Sequence, residues 1–412
     1  MSTTAATPGL LSNRFIRIIL LSGLLLQIGI WVRNFAILLY VTEQTNANEI
    51  AISMISVAEF APIFIFSFIG GTFADRWRPK RTMVWCDLLS AVSVLAVLLL
   101  MEFAGWGAVF FATLVSSILS QFSQPSGMKL FKLHVPESLM QAGMSLYQTM
   151  FALFMVLGPV LGTFVYQHFG IILSIGVMGV AFLLSATVLL FLPPDRVTEK
   201  AAGETTLRQE MVLGFRYVLS RKTLTTLGGC FVMAGLALGL IQPLGIFLVT
   251  ERLGLPKEYL QWLMLVSGVA MIAGGGLSMG IAKRMSPQLM LAGGMVISVI
   301  GLLISGLSTW LPLTLVGQFI SGLVMPAIQI SINTMILKNT ESEFVGRVNG
   351  ILTPLFMGAM VITMGTAGWL KKHIPLVSIY IIATVLFFIG ALIMLPLLRN
   401  AKTGNRESLA EK

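Results

Sequence analysis

The chain has 412 residues, 56% of them hydrophobic and 11% charged, with a formal net charge of +10. A soluble domain carries about 25% charged residues to coat its surface, which excludes that class here, whereas lipid is itself an apolar solvent and removes the requirement. The positive excess has no soluble basic domain to sit on, so no nucleic-acid partner is expected and its distribution is read as membrane topology.

Taken in chain order, the opening "MSTTAATPGLLSNRFIRIILLSGLLLQIGIW" has the basic-then-apolar order of a signal peptide. It lacks a small-x-small cleavage site before the apolar run continues to Tyr40, so it is expected to be a first span. A helix needs about 20 apolar residues to cross the hydrocarbon. Windows of that kind are predicted at 15–41, 48–70, 82–101, 106–127, 141–165 and 171–192. Six more follow at 224–249, 259–282, 288–307, 312–336, 346–369 and 375–398. Between the sixth and seventh lies the longest polar stretch, with an amphipathic helix expected near 206–220. The predicted architecture is an all-α membrane protein of twelve transmembrane helices in two six-helix pseudo-repeats. Its parts are an N-terminal bundle (1–192), a cytoplasmic linker (193–222), a C-terminal bundle (223–398) and a cytoplasmic tail (399–412).

Charges inside the spans are few. Arg33 in span 1 and Glu59 in span 2 each cost about 2.5–3.5 kcal/mol at a helix centre, so such residues face a cavity or each other. Two readings stay open for them. Glu59 is the carboxylate for a proton or a cationic substrate, modulated by Arg33, or the two form a permanent buried pair. Asp87, about five residues into span 3, is expected to pair with Arg78 or Arg81, and otherwise joins Glu59 and Arg33 as a coupling residue. Gln27, Asn34, Gln121, Gln124, Gln148, Gln242, Gln329 and Asn333 are the polar side chains available to line a cavity. Cys86 and Cys230 fall in separate apolar runs, with neither disulfide nor metal-site spacing, and are expected to be inert thiols. His134, His168 and His373 all fall in predicted loops. Pro125, Pro159, Pro243, Pro326 and Pro354 lie within spans, where each removes a backbone hydrogen bond and permits a bend.

Alternate loops carry unequal charge. Even-numbered loops and both termini hold 22 of the 27 Lys and Arg, which places them in the cytoplasm. The densest cluster, "GGTFADRWRPKR" at 70–81, then lies at the cytoplasmic end of span 2, its cations facing anionic lipid. Asp75 at that helix end can face the start of span 11, whose unpaired N–H groups favour an anion. An offset of 208 aligns "VTE" at 41–43 with "VTE" at 249–251, and "ADRWRPKR" at 74–81 with "AKRMSPQL" at 282–289, as expected of a duplication. Parallel repeats of this kind place a substrate site between the halves near mid-membrane.

"GGTFADRWRPKR" closely resembles the G-x-x-x-D-R-x-x-x-[KR]-[KR] loop of the major facilitator superfamily. "GPVLGT" at 158–163 is similar to the fifth-helix motif of its proton-driven drug antiporters, with Thr163 where glycine is usual. "EFVGRVNG" at 343–350 looks like the opening of helix 11 in relatives of macrolide efflux pumps and the enterobactin exporter. Span 4 carries no basic residue, where such antiporters have an arginine. The resemblance implies the major facilitator fold and a conformational latch built from Gly70, Gly71, Asp75, Arg76, Lys80, Arg81 and Arg347. It also implies a helix 5 motif of Gly158, Pro159 and Gly162, and a monomer.

No Walker-type G-x-x-x-x-G-K-[ST] loop occurs, so drive by ATP is not expected; neither is an enzyme, a cofactor or a metal. The leading expectation is a secondary active exporter of hydrophobic or amphipathic small molecules in the cytoplasmic membrane, with the proton as coupling ion. A transporter of lysophospholipid or another lipid is the second reading, and a non-transporting sensor or scaffold the third.

Overall fold

The computed structural model describes residues 13–193, 207–341 and 344–398, and omits the side chains of 67–76, 102, 104, 137, 138, 207, 208 and 210. Among the described residues there is no strand. Asn13 starts the first helix, its side-chain oxygen accepting from the backbone N–H groups of Phe15 (2.9 Å) and Ile16 (3.3 Å). Helices α1 (Arg14–Gln44), α2 (Glu49–Arg76), α3 (Pro79–Ala104) and α4 (Trp106–His134) match the first four predicted spans.

The run Glu137–Leu190 is 54 residues long. At 1.5 Å per residue it would extend about 80 Å, more than twice the ~30 Å of hydrocarbon, so one straight helix cannot serve. It breaks at Gly170, where φ 71° and ψ −174° lie outside the range open to other residues. That gives α5 (137–169) and α6 (171–190), as the two separate spans predicted there require. The linker helix α7 (Leu207–Ser220) falls where amphipathicity placed it. The second series is α8 (Lys222–Ile241), α9 (Leu260–Ala282), α10 (Pro287–Leu307), α11 (Leu311–Asn339), α12 (Val345–His373) and α13 (Leu376–Ile393). Beyond Ile241, α8 continues through a 3-10 turn that contains Pro243 and a π-helical turn to Arg252. Counting the broken run as two gives twelve membrane-length helices among the described residues.

The chain divides into two compact units, one of residues 1–44 and 65–201, the other of 45–64 and 202–412. In the first, α1 packs along the α5–α6 run, and α3 against α4 and that same run. Where α1 begins, Ile16, Leu130 and Leu189 are fully buried, with Phe15, Ile19, Met83 and Phe131 packed around them. In the second unit α8 packs on α12 and α13, α10 on α11 and α13, and α9 on α11. The pairs α1–α5 and α8–α12, like α3–α4 and α10–α11, occupy equivalent places in the repeat.

Residues 45–64 join the second unit because this half of α2 runs antiparallel along α12. A Cβ on Gly368 would overlap the Glu49 carbonyl, and one on Gly358 would lie 2.8 Å from the Phe64 ring. Such contact distances leave no room for larger side chains.

The repeat also shows in matching polar contacts. Glu43, of the first "VTE", accepts a 2.5 Å hydrogen bond from the Tyr166 hydroxyl near the end of α5. Glu251, of the second, pairs at 2.8 Å with Lys371 near the end of α12. In each unit the same glutamate ties the first helix of the repeat to the fifth.

Candidate functional site

Arg33 is 5% exposed. Its Nε and one terminal nitrogen donate to Asn34 Oδ1 at 2.8 and 2.6 Å, and the other terminal nitrogen donates to Ser116 on α4. A charged side chain in a span thereby gains hydrogen-bond acceptors for its donors, as burial demands. Glu59 lies half-buried in the part of α2 that belongs to the second unit.

Asp87 is 2% exposed and accepts from the Ser185 hydroxyl of α6 at 2.6 Å, rather than from the Arg78 or Arg81 expected from the sequence. The Ser185 hydroxyl lies 2.8 Å from that of Ser22 on α1. Neither serine was singled out in the sequence, because serine is common in membrane helices and only helix rotation reveals which ones converge.

The helix 5 motif is a close-approach seam. A Cβ on Gly158 would overlap the Trp31 ring of α1, and one on Gly162 would lie 2.7 Å from both Phe35 Cβ and the Trp31 carbonyl. Pro159 sits inside the helix between them, and Thr163 is 1% exposed. Gly70, Gly71, Asp75 and Arg76 lie within α2, but their side chains are outside the described ones. Lys80 does not simply face lipid: its ammonium donates to the carbonyls of Leu190 (2.8 Å) and Leu192 (2.5 Å), closing the C-terminal end of α6. Arg347 places its guanidinium over the Phe344 ring at 5.0 Å. Tyr217 of α7 stacks on the same ring at 4.3 Å, and Arg221 pairs with Glu341 at 3.0 Å, so the linker helix is fastened to the start of α12.

Of the cavity candidates, Gln27 is buried and Asn34 and Gln121 are half-buried. Gln124 lines a cavity of about 60 Å³ in the first unit with Ser22, Ser123 and Tyr147. Gln148, Gln242, Gln329 and Asn333 are exposed. Cys86 and Cys230 are free and buried. Among the described residues no three His, Cys, Asp or Glu side chains converge as metal ligands would.

The model of the Major Facilitator Superfamily matches residues 19–256 and 227–412. The chain belongs to that superfamily. It is therefore a multi-pass membrane transporter, not an enzyme. The Multidrug efflux pump Tap of Mycolicibacterium fortuitum is 26% identical over 375 residues, 87% of this chain and 90% of that protein. Macrolide efflux protein A of Streptococcus pyogenes is 28% identical over 192 residues, 43% of this chain and 47% of that protein. The nucleoside transporter NupG superposes with a TM-score of 0.76 at 10% identity, over 93% of this chain and 99% of that one, a likeness of fold.

Proposed function

We propose that this major facilitator protein is a proton-driven exporter of hydrophobic or amphipathic small molecules. It works by alternating access as a monomer in the cytoplasmic membrane, with both termini in the cytoplasm. The observation that carries the reading is Glu59, a half-buried carboxylate ten residues into an otherwise apolar stretch of α2. A charge kept there at about 2.5–3.5 kcal/mol is repaid when it binds a proton or a cationic substrate during the cycle. Similarity to a multidrug pump and a macrolide efflux protein supports export and a broad apolar substrate class. The glycine-lined seam between α2 and α12 supports motion, since helices that touch through small residues part without unpacking large side chains. The bundles 1–192 and 223–398 are the bodies that rock, and the 70–81 loop with Asp75 biases the equilibrium between their states.

The test is efflux of ethidium from proteoliposomes under an imposed pH gradient, native protein against Glu59→Gln. Gradient-driven efflux in the native protein, lost in the variant, is expected. An unaltered pH profile in Glu59→Gln removes Glu59 from the mechanism. No efflux from the native protein removes the substrate class.

A further inference from the structure

Three side chains from three helices of the first unit meet away from solvent: Asp87 on α3, Ser185 on α6 and Ser22 on α1, each 2% exposed or less. The single hydrogen of Ser185 goes to Asp87 Oδ2, so in the next bond Ser22 is the donor. Ser22 is also on the wall of the cavity of about 60 Å³ whose other polar lining is Ser123, Gln124 and Tyr147. At roughly 10–15 Å³ of such space per water, the cavity has room for a few waters. It is far below the ~300 Å³ of a drug-sized pocket. From the cavity wall, two hydroxyls and a carboxylate thus form a continuous chain inside one unit.

Asp87 accepts its hydrogen bond from Ser185, and the charged and titratable groups on the elements around it are the following. Lys80, two helical turns earlier on α3, donates to the carbonyls ending α6. Arg78 is the N-cap of α3 and Arg81 lies in its first turn, and Cys86 beside Asp87 is a buried thiol. On α4, His134 bonds the Leu130 carbonyl at 3.2 Å and stacks on Phe15, with Lys129 and Lys132 in the same last turns. On α1, Arg14 and Arg17 lie in the first turns, and Arg33 is bonded to Asn34 and Ser116. From α5 Tyr147 reaches the cavity, and the 171–190 stretch of α6 contains no titratable side chain. A buried carboxylate ordinarily keeps a countercharge or several donors, and the hydrogen bond Asp87 makes is one from a neutral hydroxyl.

We infer that Asp87 is a proton-binding site, loaded from the hydrated cavity through Ser22 and Ser185. A hydronium in the cavity gives its proton to Ser22 Oγ while the Ser22 proton passes to Ser185 and the Ser185 proton to Asp87 Oδ2. The products are a water, two intact hydroxyls with their direction reversed, and a neutral carboxylic acid, so atoms and charge balance. Protonation turns Asp87 from acceptor to donor and changes the bond that ties α1, α3 and α6 together. As a route for the driving proton this rests on the proton-driven reading above, while proton binding at Asp87 does not.

Infrared difference spectra of the purified protein, recorded as pH is varied, test binding without transport. A titrating carboxyl band is expected in the native protein, absent in Asp87→Asn and displaced in Ser185→Ala. If Asp87→Asn does not survive purification, the displaced band in Ser185→Ala carries the test, since that hydroxyl touches Asp87. Spectra identical in native and variant proteins overturn the inference. In proteoliposomes, Ser22→Ala and Ser185→Ala are expected to slow pH-driven ethidium efflux roughly ten-fold or more and to shift its pH profile. Native rate and profile in both variants would overturn the relay. A native protein with the titrating Asp87 band but no response to a pH gradient supports the site and defeats the proton-driven reading instead.

Discussion

Gly162 illustrates how much of this molecule is decided atom by atom. A methyl there would sit 2.7 Å from Phe35 Cβ and from the Trp31 carbonyl oxygen, so backbone rather than a flexible side-chain tip would have to move. Overpacking of that kind costs about 1–3 kcal/mol. Gly162→Val is accordingly expected to lower the unfolding temperature in detergent, whereas Gly176→Ala, with nothing within 4 Å, leaves it unchanged or slightly raised. Equal unfolding temperatures for Gly162→Val and the native protein would mean that the α1–α5 seam is looser than its geometry. The motif at 158–163 was legible in the sequence as a pattern, but its partners Trp31 and Phe35 were not, because span position fixes depth and leaves rotation about the helix axis free. The same gap hid Ser22 and Ser185 and gave Asp87 a hydroxyl partner in place of a cation.

At the scale of elements, hydropathy placed all twelve spans, with ends up to eight residues off, and amphipathicity read α7, because both are properties of a single helix. What a helix docks against depends on its neighbours. The stack of Tyr217 on Phe344, the Arg221–Glu341 pair and the close fit of Gly214 against Arg347 bind α7 to the start of α12. The ion pair is exposed on both sides and adds little, so the stacked rings and the fit at Gly214 carry the attachment. Removing the ring should therefore release the helix. Tyr217→Ala is expected to raise amide hydrogen exchange across 207–220 by about ten-fold, leaving α8 protected. Glu341→Gln is expected to change exchange much less; the reverse ranking would make the ion pair the fastening.

For the whole molecule, the question is whether α2 and α12 separate during transport. The half of α2 in residues 45–64 lies along α12 at Gly358, Gly365 and Gly368, and the positions of closest fit differ in what they tolerate. Gly368 faces the Glu49 backbone and admits no side chain, whereas a Cβ on Gly365 would lie 3.9 Å from Val57 Cγ2. Val57 Cγ2 occupies one of the places a cysteine sulfur at 57 would take, so cysteines at 57 and 365 face each other across the seam. The native thiols do not compete, since Cys86 is 7% and Cys230 4% exposed. If the seam opens in each cycle, oxidising the double variant Val57→Cys/Gly365→Cys in proteoliposomes should cut ethidium efflux about ten-fold or more, and a reductant should restore it. Each single cysteine variant should be indifferent to oxidant, because one thiol cannot bridge. Full transport with the bridge demonstrably formed would require the substrate path to open without parting these helices, and rocking of the two bundles would have to give way to movement elsewhere.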